Sequence, residues 1–392
     1  MTLLESAQAL QPRLAELRRE FHAHPEVSGQ EEQTAARVLK KLEEIGGYEI
    51  RTGISGHGIL AELKGALPGP MVALRADMDA LQITEETNLP YASQNPGVMH
   101  ACGHDNHITM LLGAAHLLAE YREKLSGSVR LIFQPAEEQS PTGGSRGMMA
   151  AGALDGVSEV YGLHVWPDLP LGCFGVKGGA LMAASDHFLI RINGESSHGA
   201  QPNEGVDALM AGVQLASALQ TIVSRNTDPL KSAVITLGRF RAGTRYNIVP
   251  GDCEIEGTCR TFDPEVRNLA ERRVKEITEG ICAAMDCKCE VKYERGYCAV
   301  MNDPEKARRV KKTAEALFGP EKAIQVDTPS MCAEDFAFYL TETPGAFAWL
   351  GTGESEKTAW PLHNCHFTPN EDILWRGAAL LACLALKRDS EE

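Results

Sequence analysis

A chain of 392 residues, 43% hydrophobic and 23% charged with 37 glycines and 20 prolines, has an ordinary globular composition and length enough for two domains, which excludes disordered and fibrous classes. Its net charge of -15 argues against a nucleic-acid partner, because a phosphate footprint needs clustered lysine and arginine. Charges at Glu5, Arg13, Glu16, Arg18, Arg19 and Glu20 leave no apolar core for a signal peptide, and no run approaches a membrane span, so no membrane partner is expected.

In chain order, Leu10, Leu14, Leu17 and Phe21 form a helical stripe that Pro25 ends, and a second helix is expected from Glu31 to a C-cap at Gly46 or Gly47. Strands follow at 58–63 and 71–75, the second preceded by a turn at Leu67, Pro68, Gly69 and Pro70. A helix at 106–121, an apolar strand at 129–133 and a strand at 160–165 come next. Strands separated by helices predict an α/β fold with a mostly parallel sheet covered by helices, whose sites gather at the carboxyl ends of strands.

The texture changes near Ala184. Strands at 187–192, 232–240, 253–261 and 289–295, with helices at 206–223 and 264–285, give the split βαβ order of a ferredoxin-like α+β domain. A helix at 305–318, a strand at 347–350 and a helix at 370–387 resume the α/β pattern. The expectation is a discontinuous catalytic domain, 1–184 and 300–392, with a domain inserted at 185–299. Eleven scattered cysteines, an odd number without a compact framework, predict reduced thiols in a cytoplasm. Cys282, Cys287 and Cys289 read as inert strand-face cysteines ahead of a metal cluster, since they alternate with Val291 and Tyr293.

The chemistry concentrates in His100-Ala101-Cys102-Gly103-His104-Asp105-Asn106-His107, a loop before a helix. Cys102 and His104, two apart across a glycine, can grip one ion or serve neighbouring ions, while His107 reads as a residue facing the next turn rather than a ligand. Past an apolar strand stand Glu137 and Glu138, adjacent carboxylates that point in different directions, so one can bind metal while the other acts as general base toward a metal-bound water. His164 ends an apolar strand that has no need of an imidazole, and His363 and His366 offer two late ligands.

Five segments carry a resemblance: Arg75-Ala76-Asp77-Met78-Asp79-Ala80-Leu81, His100 to Asp105, Gln134-Pro135-Ala136-Glu137-Glu138, Gly162-Leu163-His164-Val165 and Ser197-His198-Gly199-Ala200. In order over nearly the whole chain, they resemble the aminoacylase and carboxypeptidase G2 metallohydrolases, nearest the hippurate hydrolase and indole-acetyl-amino-acid hydrolase branch. The resemblance implies a two-metal, aminopeptidase-like catalytic domain and an inserted lid and dimerisation domain. It implies a metal-dependent amidohydrolase that cleaves N-acyl-L-amino acids using two divalent ions per subunit: zinc, manganese, cobalt or nickel. Cys102 would bridge the ions, Glu138 and His363 would complete one, and His104 and His164 the other, with Glu137 as general acid/base. Asp77 or Asp79 would orient a ligand, and the carboxylates near Ala333 and Phe336 would support the site. His198 would stabilise an oxyanion, while Asn247 and Arg260 would bind substrate. A homodimer through the inserted domain is the implied assembly, with a tetramer as the alternative. A dipeptidase or a carbamoyl-type amidohydrolase shares the metal core, and a binding module that has lost turnover is disfavoured by the intact Glu137 and Glu138 pair. Gln82 and the pair Cys365-His366 depart from the branch's proline-containing pattern, and His366 competes with His363 as ligand.

Overall fold

The computed structural model describes residues 1–353 and 360–386. Two compact units emerge: one comprises Met1–Leu181, Val300–Thr328 and the chain from Asp335, the other Met182–Ala299 and Pro329–Glu334.

The first unit opens with helices α1 (Leu3–Ala23) and α2 (Glu32–Ile45) and strands β1 (Glu49–Ile54), β2 (Gly58–Lys64) and β3 (Leu67–Asp77). Helix α3 (His104–Glu120), strand β4 (Ser126–Gln134), the short helix α4 (Ser145–Ala150) and strand β5 (Val157–Pro170) follow. Thr2 caps α1 by accepting from Glu5 N while the Glu5 carboxylate accepts from Thr2 N, which satisfies two donors that a helix start leaves open. The eight-stranded sheet runs β1-β2-β4-β3-β5 and then Gly345–Gly353, Phe174–Val176 and Ala323–Gln325. Its centre is parallel, β3 lying between β4 and β5 and Gly345–Gly353 lying along β5, so four carboxyl ends meet at one edge of the sheet. The outer pairs β1/β2 and β2/β4 are antiparallel.

The apolar faces of β3, β4 and β5 bury Val72, Leu74, Val129, Leu131, Leu163 and Val165 in one core with α3, α1 and the helix Leu374–Leu386. Helix α3 is buried over most of its circumference, so His104 and His107 stand in a low-dielectric setting.

The expected turn at 67–70 is instead the exposed start of β3: Leu67 pairs with Ser126, and a register shift before Met71 absorbs the two prolines. Strand β1 escapes periodicity because it is an edge strand with no buried residue. The last helix forms at Leu374–Leu386 after a 3₁₀ turn at Glu371–Ile373, and the expected end at Lys387 lies outside the described residues. Segment 329–334, placed by sequence in the surrounding domain, clusters with the inserted unit because Ala183 N donates to the carbonyls of Ser330 and Cys332.

The second unit holds a four-stranded antiparallel sheet ordered Ala233–Ala242, Asp252–Thr261, Ala184–Asn193, Lys288–Arg295. Helices Ala208–Leu219 and Pro264–Ala284 bury Leu215, Leu219, Ala270 and Val274 against Phe188, Ile190, Ile192 and Ile255. Asp263 caps the second helix by accepting from Glu265 N and Val266 N, with Pro264 in the first turn, a start that the Asp-Pro pair announces in sequence. Cys253, Cys259, Cys282 and Cys287 are buried in this core, and burial pushes the Cys282 thiol up to about 12.

Candidate metal centre

The strand ends and the start of α3 converge on one cluster in the first unit. Gly103 precedes α3 at φ 91°, and a Cβ there would lie 2.4 Å from Val165 Cγ2, so glycine alone lets Cys102 and His104 flank the turn. Beyond β4, Ala136 adopts φ 56° without being glycine, at a cost of about 1 kcal/mol, and so redirects the chain before Glu137 and Glu138. Glu31 holds that turn: its Oε1 accepts from Ala136 N at 2.7 Å and from Gly29 N at 2.9 Å. His363, also left-handed at φ 63°, donates its backbone N–H to Ala101 O at 2.8 Å, next to Cys102.

Two groups of three ligand atoms, Cys102/His104/His164 and Cys102/Glu138/His363, each lie within 4.8 Å and share Cys102. A third group within the same limit joins His104 to Glu137 and Glu138. Cys102 Sγ is 3.4 Å from His164 Nε2, His363 Nε2 is 3.2 Å from Glu138 Oε1, and His104 Nε2 is 4.0 Å from that same oxygen. His104 Nε2 and Glu138 Oε1 are buried yet lack a hydrogen-bond partner. Buried orphan atoms of this kind, in a set of sulfur, imidazole and carboxylate donors, fit divalent cations.

Hydrogen bonds set which nitrogen each histidine offers. His164 Nδ1 donates to the carbonyl of Val165 at 2.6 Å, which leaves the Nε2 lone pair facing Cys102. His104 Nδ1 pairs with Asp79 Oδ1 at 3.2 Å, so Nε2 faces the carboxylates. His107 is spent on both sides: Nδ1 pairs with Asp77 Oδ1 at 2.6 Å, and Nε2 accepts from Val165 N at 3.0 Å. His366 turns elsewhere, its Nδ1 donating to Glu86 O at 3.1 Å, so His363 is the late histidine that joins the cluster.

The electrostatics favour a positive ion. Burial opposes a charge on His104, but Asp77, then Asp79 and Glu138, outweigh it and push that imidazole up to about 10. Burial and the neighbouring His107 drive His164 well below its ordinary value, keeping it neutral. Burial, then Glu138, Glu137 and Asp77, raise the Cys102 thiol well above its ordinary value, and a thiol so placed ionises only against a cation.

Around this cluster lies a buried support. Arg75 donates to Asp77 Oδ2 at 2.7 Å, to Gln134 Oε1 at 2.9 Å and to Asp335 Oδ1 at 2.8 Å. Asp335 also accepts from Gly144 N and Ser145 N, while its own N–H donates to Glu137 Oε1 at 3.3 Å. Asp105 is fixed by Arg18 Nε at 2.7 Å and His22 Nδ1 at 2.8 Å, both from α1. Ser28, Glu31, Arg18 and His22 carry no local signal of this role, because their partners lie 51 to 105 residues away.

In the second unit, His198 is exposed on the two-residue strand Ser197–His198, and its Nδ1 accepts from Ala200 N at 3.1 Å, so Nε2 carries the proton. Asn247 has a buried Oδ1 without a hydrogen-bond partner. Arg260 is half-buried on Asp252–Thr261, opposite uncharged Val234 and Ser185.

Residues 73–387 match peptidase family M20/M25/M40. The chain is 46% identical over 288 residues to an N-acyl-L-amino acid amidohydrolase of Geobacillus stearothermophilus, covering 74% of this chain and 77% of that one. It is 38% identical over 390 residues to the hippurate hydrolase of Campylobacter jejuni, covering 99% of each. Among solved structures it is similar to the Bacillus subtilis YXEP protein, a dinuclear metal binding peptidase from the M20 family, at TM-score 0.84 and 39% identity over 96% of this chain and 98% of that one. With a family match over most of its length and a cluster of metal-ligating side chains at the strand ends, the chain belongs to peptidase family M20/M25/M40 and is one of its metal-dependent amidohydrolases.

Proposed function

We propose that the protein hydrolyses the amide bond of N-acyl-L-amino acids, of hippurate, N-acetyl or other small-acyl type, to a carboxylic acid and a free amino acid. The observation that carries this is the pair of three-ligand groups sharing Cys102, with Glu137 alongside Glu138 in the same cluster. The names of the two curated relatives supply the substrate class.

On this reading Cys102, Glu138 and His363 hold one divalent ion, and Cys102, His104 and His164 a second, zinc, manganese, cobalt and nickel all suiting the donors. Bound there, the ions would supply Lewis acidity, polarising the scissile carbonyl and acidifying the attacking water. Glu137 takes the proton from that water and hands it to the amide nitrogen, so the C–N bond breaks with a neutral amine leaving. Its burial and the hydrogen bond from Asp335 N aim the carboxylate. Asp79 orients His104, while Asp77 braces His107 and Arg75. His198, with its proton on Nε2, is suited to donate to an oxyanion. The Arg260 fork, opposite uncharged Val234, suits a substrate carboxylate, and Asn247 offers a separate polar contact. The second unit serves as lid and dimerisation domain, and eleven free thiols suit a reducing cytoplasm.

The test is release of free amino acid from N-acetyl, N-benzoyl and indole-acetyl amino acids, carbamoyl amino acids and dipeptides. Metal-loaded, chelated and Glu137→Gln proteins are compared. Turnover of acyl amino acids that needs metal and falls at least about 100-fold in Glu137→Gln is expected. Preference for dipeptides or carbamoyl substrates would replace the substrate assignment. Full activity in Glu137→Gln would sink the mechanism.

A further inference from the structure

The hydrolytic reading leaves Cys365 and His366 without a role. We propose that they form, with Glu86, a third divalent-cation site, suited to zinc and separate from the dinuclear cluster.

Glu86, Cys365 and His366 each bring a ligand atom within 4.8 Å of the other two. Oxygen, sulfur and nitrogen donors together form a set that zinc accepts with a water as fourth ligand. Zinc bonds of about 2.0–2.3 Å require only a modest contraction of such a group.

The backbone prearranges the donors. Glu86 N donates to Cys365 O at 2.9 Å, and His366 Nδ1 donates to Glu86 O at 3.1 Å, so two remote segments are already tied together. A carbonyl can only accept, so the His366 proton stays on Nδ1 and the Nε2 lone pair faces Glu86 Oε2 at 3.6 Å. The loop is anchored on either side, by His363 N on Ala101 O at 2.8 Å and by the buried Phe367. The Glu86 side chain is 61% exposed and that of His366 36%, so an ion can arrive from solvent without opening the fold. None of the three residues belongs to either ligand group around Cys102, so the proposal stands apart from the amidohydrolase assignment.

The experiment has two arms. Full-length protein and the Cys365→Ser/His366→Ala variant are dialysed against the same low free zinc, and bound zinc is counted by mass spectrometry. The wild type is expected to hold one more ion than the variant. In the second arm, wild type alone is alkylated with and without zinc and the modified peptides are mapped. Zinc should slow alkylation of Cys365 at least tenfold while the exposed Cys332, an internal control, reacts at an unchanged rate. Equal zinc in both proteins, or a Cys365 that zinc leaves unprotected, would overturn the third site. The number left in the variant tests the dinuclear assignment separately: two ions agree with it, and fewer count against it.

Discussion

Asp79 serves three donors at once. Its Oδ2 accepts from Ser28 Oγ at 2.6 Å and Glu138 N at 2.9 Å, and its Oδ1 pairs with His104 Nδ1 at 3.2 Å. One carboxylate therefore orients the His104 imidazole of α3 and the backbone at Glu138 beyond β4. Asp79→Ala is expected to weaken metal binding roughly 10–100-fold, read by competition with a chelator. Unchanged affinity would mean that packing alone holds His104. The sequence offered Asp77 or Asp79 as the orienting residue, and the side chains go to different partners: Asp77 goes to His107 and Arg75. Two aspartates in Asp77-Met78-Asp79 are equivalent on paper, and only their partners, brought in by other elements, separate them.

At the scale of elements, Glu159 near the start of β5 ties the discontinuous halves of the first unit. Its carboxylate receives Lys306 Nζ at 2.6 Å and Arg309 Nη1 at 2.5 Å from the helix Pro304–Phe318, and Tyr161 Oη at 2.7 Å. Burial opposes the charge, but Lys306, Tyr161 and Arg309 outweigh it and hold the carboxyl below its ordinary value of 4.5. A depressed folded pKa adds stability that is present above the unfolded value and lost as pH falls through the folded one. Glu159→Gln should lower stability by about 1.5–3 kcal/mol at pH 7, with the gap to wild type closing as the pH is taken below 4. Urea denaturation at several pH values checks this, and a pH-independent gap would contradict it. Helix starts marked by Asp-Pro, and strands made of apolar runs, were legible. Edge strand β1 and the short strands Phe174–Val176 and Ala323–Gln325 were not, because an exposed or three-residue strand is stabilised by its sheet partner and leaves little pattern of its own.

For the whole molecule, the cluster gathers Asp77, Asp79, Glu137 and Glu138 in buried or nearly buried positions, a set of like charges that bound cations stabilise. Exhaustive chelation is expected to lower the melting temperature, and metal added back at about 1,000 times its dissociation constant should restore about 4 kcal/mol per site. Scanning calorimetry of holo and chelated protein reads this, and identical melts would show that the carboxylates are satisfied by protein partners alone. No helix among the described residues is long and apolar enough to cross a membrane. The sequence by itself determined most of the longer helices and strands, the change from an α/β to an α+β texture and back, and the residue types that can bind metal, because periodicity, caps and side-chain chemistry are local properties. Only the tertiary structure decided which late histidine reaches Glu138, and that Ser28, Glu31, Arg18 and His22 brace the loops. Those outcomes depend on hydrogen-bond partners tens to hundreds of residues away, and no local pattern encodes a partner that distant.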